Sequence, residues 1–466
     1  MAKPKLNRMN PSTSARLRLN NCRLGSVICI LLFSALTAAG NAADRPTCHG
    51  FRVPENAIKI DGQSDDWAAC LGDLDASATF ANDAAHTTFH FDERGSFTGP
   101  KDLSLKAWCA VDPENLYVFA EVHDQILIND AGPANAFSGD DLEVFIDAND
   151  PASRFAAKTN ENVRQLIFVP AFVNPRFKQT FVWHKEQCPG VVAASRLRPW
   201  GYTIEIKIPK ALFPNWQAHP DLDSIGFDLC ANDADASGVD LYHAALKDAM
   251  FLLAPAAHFQ SPAKLGQLSF DGKPAKALPK VVVPEVSEAE QLLDAIAAPD
   301  VARIETALAS RDEAGRKAAV EILAKRPELN VPVDALLQMV TPDAKSGYGQ
   351  LGAPDLLTYA LIALAERQQL PVAKLFGTYA RVGDPALRLT FIWCCGIQGD
   401  QSVAPELAKL LYDGSVRIRM MAAISLAALG ARAVLPALQE LRDNDPHPYG
   451  RGQAEWALKQ IQENAN

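Results

Sequence analysis

Three short segments rich in Asp and Asn carry the side chains of this sequence best suited to bind a cation. They lie at 61–66, 147–150 and 232–235. Their carboxylate and amide oxygens are ligands that hard cations such as calcium prefer, although none has the spacing of an EF-hand loop. The same residue types hydrogen-bond the local backbone in turns, so a turn role for these segments stays open.

No arrangement of residues is typical of a catalytic centre. The sequence has no GxSxG, P-loop or HExxH motif. Glycoside hydrolysis needs two carboxylates on opposite sides of the bond, and no segment remains that could build a catalytic barrel around them. We therefore predict that the protein is not an enzyme and has no catalytic residues. The formal net charge of −10 over 466 residues also argues against nucleic-acid binding, which requires a basic face.

Residues 1–42 have the three-part pattern of a secretory signal peptide. A basic region without acidic residues precedes the apolar run from Val27 to Ala39, and small residues allow cleavage before Ala43. The run is shorter than the roughly 20 residues that a membrane-spanning helix needs. We expect a secreted or periplasmic protein with no membrane span once the signal is removed, an uncleaved anchor being the alternative.

The elements that position any site change in kind halfway along the chain. Residues 43–270 alternate apolar and polar side chains, as in Leu142, Val144 and Ile146 or Ile204, Ile206 and Ile208. This period of two, with turns between the segments, predicts antiparallel strands in an all-β sandwich. Residues 271–286 are rich in Pro and Lys and are typical of a linker.

Residues 287–466 have helical periodicity and an internal repeat. Segments that begin with Asp312, Asp384 and Asp413 each have an Arg four residues later, and Asp445 opens a shortened last copy. The copies recur about 30 residues apart, which is typical of stacked helix pairs. We expect the Asp to cap its helix and the Arg to reach a carboxylate of the next repeat. The pattern resembles HEAT repeats, so an all-α solenoid is predicted, with an unrelated helical bundle as the alternative.

Five motifs in the strand-rich half resemble a family 9 carbohydrate-binding module. They are IDGQSDDW at 60–67, NLYV at 115–118, DDLEVFID at 140–147, GYTIEIKIP at 201–209 and GFDLCAND at 226–233. The resemblance implies a β-sandwich that holds structural calcium. It also implies a glucose- or xylose-type sugar clamped between two aromatic rings, with polar side chains on its hydroxyls.

Carried over by position, the resemblance implies a degenerate sugar site. The two clamping rings fall at Phe137 and near Phe259, and the strand carboxylate is kept as Glu143. A family Gln is replaced by Cys230, and a family Arg falls near Ile167, for which Arg164 and Gln165 could compensate. A packing role for both Phe side chains is the alternative.

We therefore expect an exported, non-catalytic carbohydrate-binding protein of polysaccharide catabolism, whose helical repeats bind a protein partner. One alternative is a structural scaffold whose sandwich has lost its sugar. Another is a haem protein of the same sandwich type that uses Met250 or His258 as an axial ligand.

Overall fold

The computed structural model describes residues 45–80, 88–90, 99–129, 133–156, 159–173, 177, 179–234, 248–251, 261–272, 286–342 and 353–463. The predicted signal peptide at 1–42, most of the predicted linker at 271–286, Phe259 and His258 lie outside these residues. From Pro46 onward the chain belongs to one compact unit. Within the described residues, no helix has both the length and the apolar character that crossing a membrane demands.

The strand-rich half is one hydrogen-bonded system of strands. They are β1 (Thr47–Arg52), β2 (Thr88–His90), β3 (Leu103–Val111), β4 (Asn115–Asp124), β5 (Asp141–Asp147), β6 (Val163–Val169), β7 (Phe181–Val182), β8 (Val192–Arg198), β9 (Gly201–Pro209), β10 (Ser224–Asp233), β11 (Asp248–Phe251) and β12 (Gly266–Gly272). The main order is β7-β6-β5-β10-β12-β1-β3-β4-β9-β8, with β11 beside β10 and β2 beside β11. Strand β1 is parallel to both β12 and β3, and the other pairs are antiparallel.

The predicted β-sandwich is confirmed, because β1 divides the strands into two halves whose inner faces share a core. Leu142, Val144 and Ile146 of β5 are completely buried in the same cluster as Ile204 and Ile206 of β9. Alternation then places the intervening residues of each strand on the outer face of the sandwich.

A short helix, α1 (Asp65–Leu71), packs against the outer face of the β3–β4 half. Its Trp67 is fully buried and donates from Nε1 to Glu205 Oε1 at 2.8 Å. Glu205 Oε2 accepts the backbone N–H groups of Asp61 and Gly62 at 2.8 and 2.9 Å. Burial raises the pKa of Glu205 to about 7, although the hydrogen bond from Trp67 lowers it. The first acidic segment, 61–66, is therefore held to the sandwich through its backbone.

The remaining helices begin with α2 (Pro214–Ala218), which lies within the sandwich segment. Those of the C-terminal region are α3 (Glu288–Asp294), α4 (Val301–Ala309), α5 (Glu313–Lys325), α6 (Asp334–Val340), α7 (Pro354–Glu366), α8 (Val372–Tyr379), α9 (Pro385–Gln398), α10 (Ala404–Leu410), α11 (Val416–Leu429), α12 (Leu435–Asn444) and α13 (Pro448–Glu463). The longer helices α5, α7, α9, α11 and α13 pack in sequence order, each against the next. This stacking confirms the predicted all-α solenoid.

Aspartates cap two repeat helices as expected. Asp312 accepts the backbone N–H of Gly315 at the start of α5, and Asp384 accepts that of Leu387 at the start of α9, both at 2.8 Å. A cap of this kind contributes about 1 kcal/mol to helix stability.

Ion pairs join successive repeats, but two arginines differ from the prediction. Arg316 donates to the carbonyl of Ser310 at 2.8 Å instead of reaching a carboxylate of the next repeat. Arg388 reaches Asp413 of the next repeat at 2.5 Å. In the following repeat Arg419, and not Arg417, binds Asp445 with Nε at 2.7 Å and Nη2 at 2.9 Å. The reason is that Ser415 occupies the N-cap position of α11, although its side chain makes no capping hydrogen bond, so the fourth residue after that position is Arg419.

Candidate functional site

Two of the predicted sugar-site residues meet on the outer face of the sandwich. Glu143 lies on β5 and Gln165 on the neighbouring strand β6. Gln165 Nε2 donates to Glu143 Oε2 at 2.6 Å. Arg164 takes the alternate position on β6, opposite the core residue Ile146, and its guanidinium donates to the carbonyl of Val163. The structure therefore unites Glu143 with Gln165 and leaves Arg164 apart from them.

A third polar residue completes this arrangement. Asn232 of β10 donates from Nδ2 to Glu143 Oε1 at 2.8 Å and to Asp141 Oδ1 at 2.9 Å. Glu143, Gln165 and Asn232 form what we call the polar row. The sequence analysis predicted Asn232 only as a possible cation ligand and not as part of the sugar site. The register of β5 and β10, which pairs Glu143 with Cys230, brings Asn232 close to Glu143.

The polar row is held rigidly and keeps hydrogen-bonding capacity. Glu143 is only 7% exposed, whereas Gln165 is half-buried. A carboxylate has about four acceptor positions, and an amide that donates one N–H retains its oxygen and a second N–H. Through Gln165 the row can therefore present both donors and acceptors to a polyhydroxylated ligand.

Phe137, the first predicted clamping ring, lies in a 3₁₀ helix at Pro133–Ser138. It is half-buried and packs against the main hydrophobic core. Phe259, the second, lies outside the described residues. The proposed clamp of these two rings thus stays a prediction.

Most of the acidic segments act as turns. Asp61 accepts the N–H of Gln63 at 2.9 Å. Asp147 accepts those of Asn149 and Phe155 at 3.1 and 2.7 Å, and Asp150 accepts that of Ala152 at 2.9 Å. Through these local bonds the two segments take the turn role that the sequence analysis left open.

A different set of acids forms a buried carboxylate cluster. Asp124 ends β4, Asp140 precedes β5 and Asp233 ends β10, and one carboxylate oxygen from each lies within 4.8 Å of the others. All three side chains are at most 3% exposed. Ionised carboxylates at this spacing repel one another in a medium of low polarity, so a cation or bound protons must offset their charge. Sequence analysis singled out only Asp233, within the segment 232–235.

Two further buried oxygens belong to residues next to the carboxylate cluster. The buried Asn129 Oδ1 and Tyr202 hydroxyl have no hydrogen-bond partner within the described residues. Asn129 is held against the cluster, because its Nδ2 donates to the Asp140 carbonyl at 3.2 Å. Burial raises the pKa of Tyr202 well above 10, and the adjacent carboxylates of Asp141 and Asp124 raise it further. An all-oxygen donor set of this kind suits calcium.

The helical region supplies the partners of the loop beside this cluster. Lys325 of α5 donates to the carbonyl of Leu127 at 2.9 Å, and the N–H of Leu127 donates to the hydroxyl of Tyr359 of α7 at 2.9 Å. Burial lowers the pKa of Lys325, and Glu321 and Asp140 are the strongest opposing influences. The ammonium therefore lies close enough to the cluster to interact with its charge.

Comparison with known proteins identifies both regions. Residues 73–273 match the family model of carbohydrate family 9 binding domain-like proteins, and residues 374–459 match that of HEAT repeats. These matches confirm the two resemblances drawn from the sequence. No curated protein matches the chain.

Among solved structures, the chain is similar to a family 9 carbohydrate-binding module from Caldicellulosiruptor kristjanssonii in complex with glucose, with 18% identity, a TM-score of 0.34 and coverage of 50% of this chain and 100% of that one. A complex of that organism's module with cellotriose gives 20% identity, a TM-score of 0.32 and coverage of 50% and 98%. The phycocyanin lyase complex from Nostoc gives 18% identity, a TM-score of 0.26 and coverage of 34% and 99%.

Proposed function

We propose that this protein, in which a family 9 carbohydrate-binding-like sandwich precedes HEAT repeats, is an exported, non-catalytic binder of a glucose- or xylose-type glycan. The observation that carries the proposal is the polar row on the outer face of β5, β6 and β10. Sugar hydroxyls require directed donors and acceptors, which a carboxylate fixed between two amides supplies. We propose a role in polysaccharide catabolism because binders of such glycans commonly serve it.

Export is proposed from the sequence of the first 42 residues. A basic region followed by a short apolar run is typical of a secretory signal, and the protein would then act in the periplasm or outside the cell. An extracellular or periplasmic glycan binder would meet polymeric substrates there.

The helical repeats are proposed to bind a protein partner. The aromatic ring of Tyr412 is exposed at the edge of a groove between the last repeats, and its hydroxyl donates to Glu440 at 2.7 Å. Aromatic side chains anchored in this way are common centres of protein interfaces.

Calcium is proposed to bind the carboxylate cluster. Asp124, Asp140 and Asp233 would supply the charge, and Asn129 Oδ1 an uncharged ligand. The ion would stabilise the sandwich by offsetting buried negative charge and would take no part in chemistry.

Calorimetric titration of the full-length protein with gluco- and xylo-oligosaccharides tests the sugar proposal. We expect Glu143→Gln to weaken binding about tenfold or more, because a hydrogen bond to a charged group contributes about 1.5–3 kcal/mol. The matched control is Glu114→Gln, in an exposed turn of the other half of the sandwich, which should bind as the wild type does. Thermal unfolding of each variant checks that the fold is kept.

Two outcomes would contradict the proposal. Equal affinity of Glu143→Gln and wild type would remove the polar row from the binding site. Failure of the wild type to bind any oligosaccharide would favour the alternative of a scaffold protein. Two observations agree with that alternative: Glu143 has low exposure, and Cys230 takes the neighbouring position.

A further inference from the structure

A groove of about 640 Å³ runs beside the short edge strand β7. Its aromatic wall consists of Phe177, Phe181 and Trp183, and Ala134 of the 3₁₀ helix that carries Phe137 lines it too. Polar side chains, among them Gln179 and His184, complete its lining. An aromatic wall with polar groups around it is a surface suited to a ligand that has both apolar faces and hydroxyls.

The register of the strands relates this groove to the polar row. Val182 of β7 pairs with the core residue Phe168, and Phe181 pairs with Val169. The N–H of Trp183 donates to the carbonyl of Ile167 at 2.9 Å. Because side chains alternate along a strand, Phe181 takes the face opposite to Val182, which is the outer face of the sandwich. Trp183 directly follows β7, and its bond to Ile167 continues the pairing by one residue, which places it on the same face as Phe181.

Glu143 shares that outer face with these rings. It pairs with Ile167 on β6, which in turn is bonded to Trp183. Trp183 and Glu143 are therefore separated by two strand spacings, or about 10 Å. This separation of backbone positions is comparable to the length of a disaccharide, so a ligand of two sugar units would reach both residues.

The rings are arranged so that part of their surface stays accessible. Phe177 and Phe181 stack with ring centroids 4.4 Å apart and planes inclined by 15°. Trp183 and His184 are in contact, with centroids 3.8 Å apart. Phe181 and Trp183 are half-buried, whereas Trp67 and Trp216 of the sandwich are completely buried. Core packing thus accounts for only part of each ring.

We propose that Phe181 and Trp183 form an aromatic platform for a second sugar unit of an oligosaccharide whose first unit lies on the polar row. The inference rests on the proposed function and extends it by naming the ligand class, which is an oligosaccharide rather than a monosaccharide. The C–H face of a pyranose packs on an aromatic ring, while Gln179 and His184 can bond its hydroxyls. The platform supplies the aromatic contact on an edge strand, away from the positions implied by the family resemblance.

Titration of full-length variants with a monosaccharide and with its oligosaccharide tests this inference. We expect Trp183→Ala to weaken oligosaccharide binding about tenfold and to leave monosaccharide binding unchanged. Trp183→Phe should retain most of the affinity. The matched control is Trp200→Ala, because Trp200 is also half-buried but stacks on His123 in the other half of the sandwich.

Tryptophan fluorescence provides a second readout that does not depend on the stability of the alanine variant. We expect the oligosaccharide to change the emission of the wild type and of Trp200→Phe, and the change to be lost in Trp183→Phe. Unchanged oligosaccharide affinity in Trp183→Ala, with Glu143→Gln still impaired, would overturn the platform alone. A wild type that binds neither sugar would overturn the proposed function itself.

Discussion

Replacing Lys325 by methionine is expected to lower the free energy of unfolding by about 3 kcal/mol, because it breaks a buried ion pair and leaves the buried carboxyl of Glu321 without its partner. The side chains of Lys325 and Glu321 are 6% and 2% exposed, and their charged atoms lie 3.9 Å apart. Methionine has a similar length but cannot donate to the Leu127 carbonyl, which Lys325 reaches at 2.9 Å. Urea unfolding of the full-length protein at neutral pH measures the change.

An exposed lysine provides the control for this substitution. Lys459 pairs with Glu463 at 3.8 Å, and both side chains are more than half exposed. Lys459→Met should therefore change stability by less than about 0.5 kcal/mol. If the two variants unfolded at the same urea concentration, Lys325 would not hold the helices against the sandwich, and the interface described above would be wrong.

Calcium is expected to stabilise the chelator-treated protein by about 3 kcal/mol once its concentration is 100-fold above its dissociation constant. The expected site is the cluster of Asp124, Asp140 and Asp233. Asp233→Asn keeps the size of the side chain but removes one of three charges, so the calcium-dependent shift in thermal unfolding should be greatly reduced. The readout is the difference between unfolding with and without calcium, which cancels any direct effect of the substitution on the fold.

Asp150→Asn is the matched control for the calcium experiment. Asp150 is exposed and bonds the nearby backbone of Ala152, so its variant should respond to calcium as the wild type does. Equal calcium shifts in Asp233→Asn and Asp150→Asn would place the ion elsewhere. A wild type whose unfolding is the same with chelator and with calcium would mean that bound protons and the Lys325 ammonium, rather than a metal, balance the cluster.

The fold could be predicted because its signals are local. Alternation in Leu142, Val144 and Ile146 marks a strand whose one face is buried, and the structure places those side chains in the core. The repeat with Asp384 and Arg388 likewise predicted a capped helix bonded to the next repeat. The error at Arg417 arose because α11 begins two residues later, relative to Asp413, than the repeat pattern predicts. The spacing from Asp to Arg alone does not reveal this shift.

The sites were harder to predict because their residues are distant in the sequence. Glu143 and Gln165 were identified, but Asn232 joins them only through the register of β5 and β10. Asp124 and Asp140 lie outside the acidic segments that were considered, and the fold brings them to Asp233. Segments rich in Asp turned out to be turns. The side chains of neighbouring acids bond the adjacent backbone more readily than they gather around one cation.

A crystal structure of the full-length protein with a bound gluco- or xylo-oligosaccharide tests the central claim most directly. We predict that the sugar lies on the outer face of the sandwich, with hydroxyls bonded to Gln165 or Glu143 and a ring packed on Trp183. A sugar bound on the helical repeats, or on the half of the sandwich formed by β3, β4, β8 and β9, would contradict the account.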